Sequence, residues 1–258
     1  MKIGAQLFSV RDYAKTLDDF EETLKKIADI GYTSVQVSGT CDYEADWLCE
    51  KLKENGLTCD LTHFKFEKMM ANPSEVADFH SKFGCKYIGV GCMPHIWEKD
   101  CDIVECCKDF AENASTVAKV FKEKGALLMY HNHQREYFYE IDGMNLMEYL
   151  EDRFAPDELG FTLDTHWVAA GNHKPLEEVC RLAGRLPCVH FKDLVFTLEG
   201  EKRFAPVGEG IIEFEPIISE LEKGGTEFIF VEQDNCYGED PFKCLKLSYD
   251  YLHSLGLK

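Results

Sequence analysis

No stretch of this 258-residue chain stays apolar over the roughly 18 residues that a membrane-spanning helix needs. No membrane helix is therefore expected. Positive charge is scarce: 28 Lys and Arg stand against 47 Asp and Glu, a formal net charge of −19. Such a surface repels phosphate backbones and anionic lipid, which argues against nucleic-acid and membrane partners. No cluster of Arg and Lys marks a phosphate pocket, so an unphosphorylated ligand is expected. The first apolar run is followed by SVRDYAK (9–15) instead of a glycine-rich phosphate fingerprint, which weighs against an open dinucleotide-binding sheet. Arg11 and Asp12 come too soon after the broken apolar start for a secretory leader. No linker, low-complexity tract or shift in composition divides the chain, so residues 1–258 read as one domain. Twelve cysteines are present, scattered without zinc-finger spacing, which predicts reduced thiols in a cytoplasmic protein.

What the chain does have is a regular alternation. Short apolar runs read as buried strands: IGAQLF (3–8), SVQV (34–37), TCDLTHF (58–64), YIGV (87–90), ALLMYH (126–131), GFTLD (160–164), CVHFKD (188–193) and FIFVEQD (228–234). Between them lie stretches of 3.6-residue periodicity at 17–31, 45–56, 75–84, 103–125 and 214–225, with a last helix through 240–256. Gly31, Gly56, Gly84, Gly125 and Gly224 stand where left-handed helix caps belong. Apolar strands alternating with amphipathic helices imply a parallel sheet covered by helices. Eight such units in this length predict a (β/α)₈ TIM barrel.

In such a barrel, chemistry sits at the carboxyl ends of the strands, and the polar residues concentrate there. Strand one ends near Gln6 and leads to Arg11. Strand three ends at His63, and strand five at His131-Asn132-His133, with Glu136 just beyond. Strand six ends at Asp164, followed by His166 and Trp167; strand seven carries His190, Lys192 and Asp193; strand eight ends at Glu232. Alone, Asp164 reads equally well as a helix cap, and His190 as a satisfied core histidine. Together, Asp164, His190 and Glu232 fall on three successive strand ends, where mixed oxygen and nitrogen donors suit a divalent cation. A fourth ligand is expected from strand five.

Taken together, IGAQLFSVRD, YHNHQREY, FTLDTHWVAAG, VHFKD, PVGEGIIEF and FVEQD resemble the sugar-phosphate isomerase/epimerase proteins, with their xylose-isomerase-like barrel, over essentially the whole chain. The resemblance implies one divalent metal, most often manganese with magnesium, cobalt or zinc as alternatives, held by two glutamates, an aspartate and a histidine. On matching positions these are Asp164, His190 and, for the last glutamate, Glu232. Where many members place the first glutamate, in a Glu-Asn-His run, this chain has His131 in His-Asn-His. Either His131 binds the metal or Glu136 reaches back from the loop; the preference of hard cations for carboxylate oxygen favours Glu136. Trp167 stands where many epimerase relatives carry a histidine, and an aromatic there is expected to stack on a sugar ring. Relatives are often dimers or tetramers, and the residues specify no interface.

The implied chemistry removes a proton beside a carbonyl, with metal charge stabilising the enediolate. Glu232 is expected as ligand and base, and His133 and His131, on one side of the strand by period two, as further proton carriers. Gln6, His63, Trp167 and Lys192 are expected to contact substrate, and Glu209 to ride a mobile glycine-flanked loop over the site. The leading reading is a metal-dependent sugar isomerase or epimerase. Its alternatives are a lyase or dehydratase of a keto sugar, keto glycoside or inosose, and a non-catalytic sugar-binding barrel. An abasic-site endonuclease, which shares this fold, is disfavoured by the charge.

Overall fold

The computed structural model describes residues 1–258. Eight strands close a barrel: β1 (Lys2–Gln6), β2 (Ser34–Val37), β3 (Thr58–His63), β4 (Tyr87–Val90), β5 (Leu127–His131), β6 (Leu159–Asp164), β7 (Cys188–Phe191) and β8 (Phe228–Val231). All neighbours are parallel, and β8 closes on β1. The chain is the (β/α)₈ barrel its periodicity predicts. Helices Leu17–Ile30, Ala45–Glu54, Pro73–Ser81, Ile103–Glu123, Phe214–Gly224 and Pro241–Ser254 occupy the periodic stretches. Four further helices are Phe66–Ala71, Leu146–Arg153, Pro175–Arg181 and Thr165–Ala170, the last capped by Asp164 as one reading of that residue expected. No helix is long and apolar enough to cross a membrane.

Several boundaries need correction. β7 stops at Phe191, and Asp193–Phe196 pairs instead with Lys202–Ala205 as an antiparallel hairpin. Gly224 is the last helical residue, and it is Gly225 that takes the left-handed conformation, at φ 79°. The sulfurs of Cys101 and Cys106 meet at bonding distance, against the expectation of free thiols throughout; the other ten are free.

Inside the barrel, Leu61, Tyr87, Met129, Cys188, Phe228 and Phe230 form a small apolar plug. It is separate from the larger core between strands and helices. Burying one phenylalanine in such a plug contributes roughly 1.5–3 kcal/mol. A Cβ on Gly4 would lie 2.5 Å from the Phe230 ring, so glycine there leaves the ring its room. Because strand side chains alternate with period two, the next inward residues along these strands are His63, His131, His190 and Glu232. The same faces are apolar low in the barrel and ionisable at its carboxyl end.

His80, on the helix Pro73–Ser81, is fully buried among Phe64, Phe79 and Phe83. Its Nδ1 lies 2.7 Å from the Val76 carbonyl oxygen and its Nε2 2.9 Å from the Thr62 hydroxyl. Burial pushes its pKa down to about 4, and the Val76 bond only partly opposes this. An unfolded histidine takes up a proton near pH ~6.5 that the folded ring refuses until about 4. Between those values the unfolded chain binds more protons, so stability falls as pH drops through this window, by at most about 3 kcal/mol. Thermal melts at pH 7 and pH 5 are expected to show a larger loss for the native protein than for His80→Gln. Equal losses would remove His80 as the cause.

Candidate metal and substrate site

At the carboxyl end of the barrel, His131, Asp164, His190 and Glu232 are all buried, and one donor atom from each lies within 4.8 Å of the others. Each comes from the end of its own strand. Asp164 has two oxygens with separate work. Its Oδ1 accepts from the Trp167 N–H at 2.9 Å, capping the helix Thr165–Ala170. Its Oδ2 faces His131 Nε2 at 3.4 Å and His190 Nδ1 at 3.9 Å. The capping role and the cluster role are thus filled by one carboxylate. Asn132 ties the two strand ends together, its Oδ1 accepting from the Asp164 N–H at 2.9 Å.

The two imidazoles are oriented from outside the cluster. His131 Nδ1 lies 2.9 Å from the Gly91 carbonyl oxygen, which assigns the proton to that nitrogen. His190 Nε2 lies 2.5 Å from Gln36 Oε1, which places its proton there. Each ring turns its other nitrogen toward the carboxylates. His190 Nδ1 and Glu232 Oε2 approach to 3.0 Å.

One protein cation enters this space. The ammonium of Lys192, fully buried, stands 3.0 Å from Glu232 Oε2, 3.3 Å from Asp164 Oδ2 and 2.9 Å from Asp234 Oδ2. Burial alone would raise the Glu232 carboxyl; Lys192 and His190 reverse this and hold it well below the usual range. Burial raises the Asp164 carboxyl too, but Lys192 and the hydrogen bond with His131 outweigh it and leave it lowered to about 2. Burial pushes His131 down, but the Asp164 carboxylate outweighs it, so its net shift is upward. Burial, reinforced by the neighbouring His131, holds His63 and His133 well below their ordinary value, so both are neutral imidazoles.

Around this core stand other expected residues. The His63 ring lies 5.1 Å from that of His131 and 5.5 Å from that of His190. His133 sits 4.8 Å from His131, between Trp97 at 5.1 Å and Trp167 at 5.3 Å, with its Nδ1 unpartnered. Lys192 lies 5.0 Å from the centre of the Trp167 ring. Gln6 is buried on β1; its Oε1 accepts from the Phe8 N–H and its Nε2 is free of partners. Arg11 instead bonds the carbonyls of Phe8 and Asp234, joining the loops after β1 and β8.

Two expected residues are not brought to the cluster. Glu136 is buried, but the short turn Arg135–Tyr137 throws it behind β5. There it accepts from the Tyr130 hydroxyl at 2.7 Å and the His133 N–H at 3.1 Å. Burial raises its pKa to about 7, and His131 occupies the fourth position instead. Glu209, expected on a loop over the site, is exposed, and its loop is hydrogen-bonded to Asp193. The buried Asp193 carboxylate accepts from the N–H groups of Leu194, Gly208, Gly210 and Ile212 at 2.8 to 3.1 Å. Missed by the sequence reading were Gln36, Asn132 and Asp234 as partners of the site. Gln36 left a signal: a glutamine inside an otherwise apolar strand.

Comparison with known proteins agrees with this architecture. A family model described as xylose isomerase-like TIM barrel matches residues 24–245. The inosose dehydratase of Geobacillus kaustophilus is 22% identical over 271 residues, covering 91% of this chain and 87% of that protein. The crystal structure of a sugar phosphate isomerase/epimerase from Parabacteroides distasonis superposes with a TM-score of 0.78 at 22% identity, covering 98% and 97% of the two chains. A xylose isomerase-like barrel from Mycobacterium smegmatis, in complex with magnesium, gives 0.77 at 15% identity, covering 98% and 96%. Fold, strand-end cluster and family model lead to one conclusion: this chain belongs to the xylose isomerase-like TIM barrel family.

Proposed function

We propose that this protein is a divalent-metal-dependent sugar isomerase or epimerase that removes the proton beside a carbonyl. The observation that carries the reading is the set of four buried donors, His131, Asp164, His190 and Glu232, within 4.8 Å of one another, with both imidazoles turned toward the carboxylates. Two imidazoles and two carboxylates suit a first-row divalent ion such as manganese, cobalt or zinc; the second imidazole makes magnesium a poorer match. His131, Asp164, His190 and Glu232 would hold the ion, so His131 serves as a ligand in place of Glu136. Bound there, the cation supplies positive charge for the substrate oxygens that become anionic as the proton leaves.

The chain's own residues do the rest. Glu232, kept ionised by Lys192, accepts the proton. His133, kept neutral by burial, accepts a proton and can then return it. Trp167 and Trp97 flank it and offer flat apolar surfaces to a sugar ring. Gln6 and His63 direct unpartnered polar atoms inward, Nε2 in both cases, ready for substrate hydroxyls, and Lys192 adds a third donor. Returning the proton completes an isomerisation or epimerisation.

A second reading is elimination from a keto sugar or inosose. The similarity to inosose dehydratases along most of the chain favours it; in it His133, an imidazole outside the four donors, would accept the proton beside the carbonyl and pass it on to the leaving oxygen.

Two measurements test these readings. Elemental analysis after manganese dialysis is expected to give about one equivalent per chain, lost in Glu232→Ala and His131→Ala and kept in Glu136→Gln. Absence of metal from the native protein would remove the mechanism, and loss in Glu136→Gln would restore Glu136 as a ligand. A screen of keto sugars and inososes in heavy water separates the endings. Deuterium in an otherwise unchanged or epimerised skeleton supports isomerisation; loss of water supports elimination.

A further inference from the structure

The ammonium of Lys192 touches the donor oxygens themselves. Its Nζ stands 3.3 Å from Asp164 Oδ2, the atom that faces His131 Nε2, and 3.0 Å from Glu232 Oε2, the atom that faces His190 Nδ1. Lys192 is 1% exposed, so its charge acts on the cluster with little screening. A divalent ion bonded to those two oxygens would stand beside this cation, and like charges that close repel strongly. Lys192 and a metal therefore compete for the same two atoms.

A third carboxylate bears on the competition. Asp234 Oδ2 lies 2.9 Å from Nζ, the shortest of the three contacts, yet Asp234 gives none of the four clustered donors. Its side chain stands at the outer edge of the group, partly exposed where Asp164 and Glu232 are closed off. Its place is fixed through the backbone, where Arg11 bonds the Asp234 and Phe8 carbonyls and joins the loops after β8 and β1. Lys192 also passes 5.0 Å and 5.3 Å from the ring centres of Trp167 and Phe204, and aromatic faces attract an ammonium. The ammonium thus has partners outside the donor set: one carboxylate and two rings.

We propose that Asp234 is a positioning residue that sets metal affinity: by holding the Lys192 ammonium, it frees Asp164 and Glu232 for a divalent ion. The inference rests on the metal site proposed above and adds a determinant that is not itself a ligand. Asp234 also attracts any nearby cation through its own charge. The two effects separate once Lys192 is removed, because only the first acts through the ammonium.

Manganese titrations against a competing chelator test this on the native protein, Asp234→Asn, Lys192→Met and the double variant, with thermal melts of each before and after manganese. Asp234→Asn is expected to weaken binding about tenfold, and Lys192→Met to strengthen it. In the Lys192→Met background, Asp234→Asn should cost no more than about threefold. Manganese should raise the melting temperature most in Lys192→Met, whose two carboxylates have lost the protein's own cation. Lys192→Gln replaces Lys192→Met if the latter does not fold. The inference is overturned when Asp234→Asn binds as the native protein does, when Lys192→Met binds more weakly, or when Asp234→Asn costs as much in that background as alone. A native protein that takes up no manganese overturns the metal site as well; those other outcomes overturn this inference and leave the site standing.

Discussion

Two imidazole nitrogens pointed at two carboxylates in a buried space are the constraint on which the rest of the site depends. The Gly91 carbonyl and Gln36 hold the opposite ring nitrogens and so fix the two rings. Two carboxylates gathered in a buried space are costly to fold around. The chain offsets part of that cost with the Lys192 ammonium among Asp164, Glu232 and Asp234. The orientation of donors on β5 and β7 is thus set by β2 and by the loop after β4, elements that contribute no member of the cluster themselves.

The barrel makes such a concentration affordable through register. The inward faces that carry His131, His190 and Glu232 also carry Met129, Cys188 and Phe230 two residues earlier. The apolar plug holds the strands together below, so the upper layer is free to be polar. Asp164 extends this economy within one side chain, capping a helix with one oxygen and facing the imidazoles with the other. Removing it would loosen both the helix start beside Trp167 and the cluster, which is why a cap and a ligand are not competing descriptions of it.

Strand and helix periods made the eight-unit order legible, and three of the four cluster residues followed from their places at successive strand ends. What failed were features that depend on side-chain direction past the end of a strand. Glu136 looked like the better ligand on chemical hardness alone, but a one-turn helix sends it behind β5 to the Tyr130 hydroxyl. The hairpin after β7 was hidden because CVHFKD reads as one apolar strand, although its last residue turns to gather four backbone N–H groups. The helix Leu146–Arg153 did carry a legible signal, the capping box formed by Asn145 and Glu148, which was overlooked. Gln36 shows the converse: its polarity was visible, while its partner across the barrel was not.

The exchange of a carboxylate for His131 bears on which reaction the barrel runs. With a divalent ion bound as proposed, the centre is one unit of charge more positive than it would be with a glutamate there. Such a centre would supply more positive charge to substrate oxygens that become anionic as the proton leaves. The same exchange takes away a carboxylate that could carry a proton on the β5 side of the ring, and His133, between two tryptophans and outside the donor set, is the group left to do so. A neutral imidazole in that place is suited to accepting a proton and passing it on to a departing oxygen or to carbon. On the proposed function, the imidazole at residue 131 would therefore strengthen the step shared by every ending, and would leave the choice between endings to His133 and to the ring that lies against it.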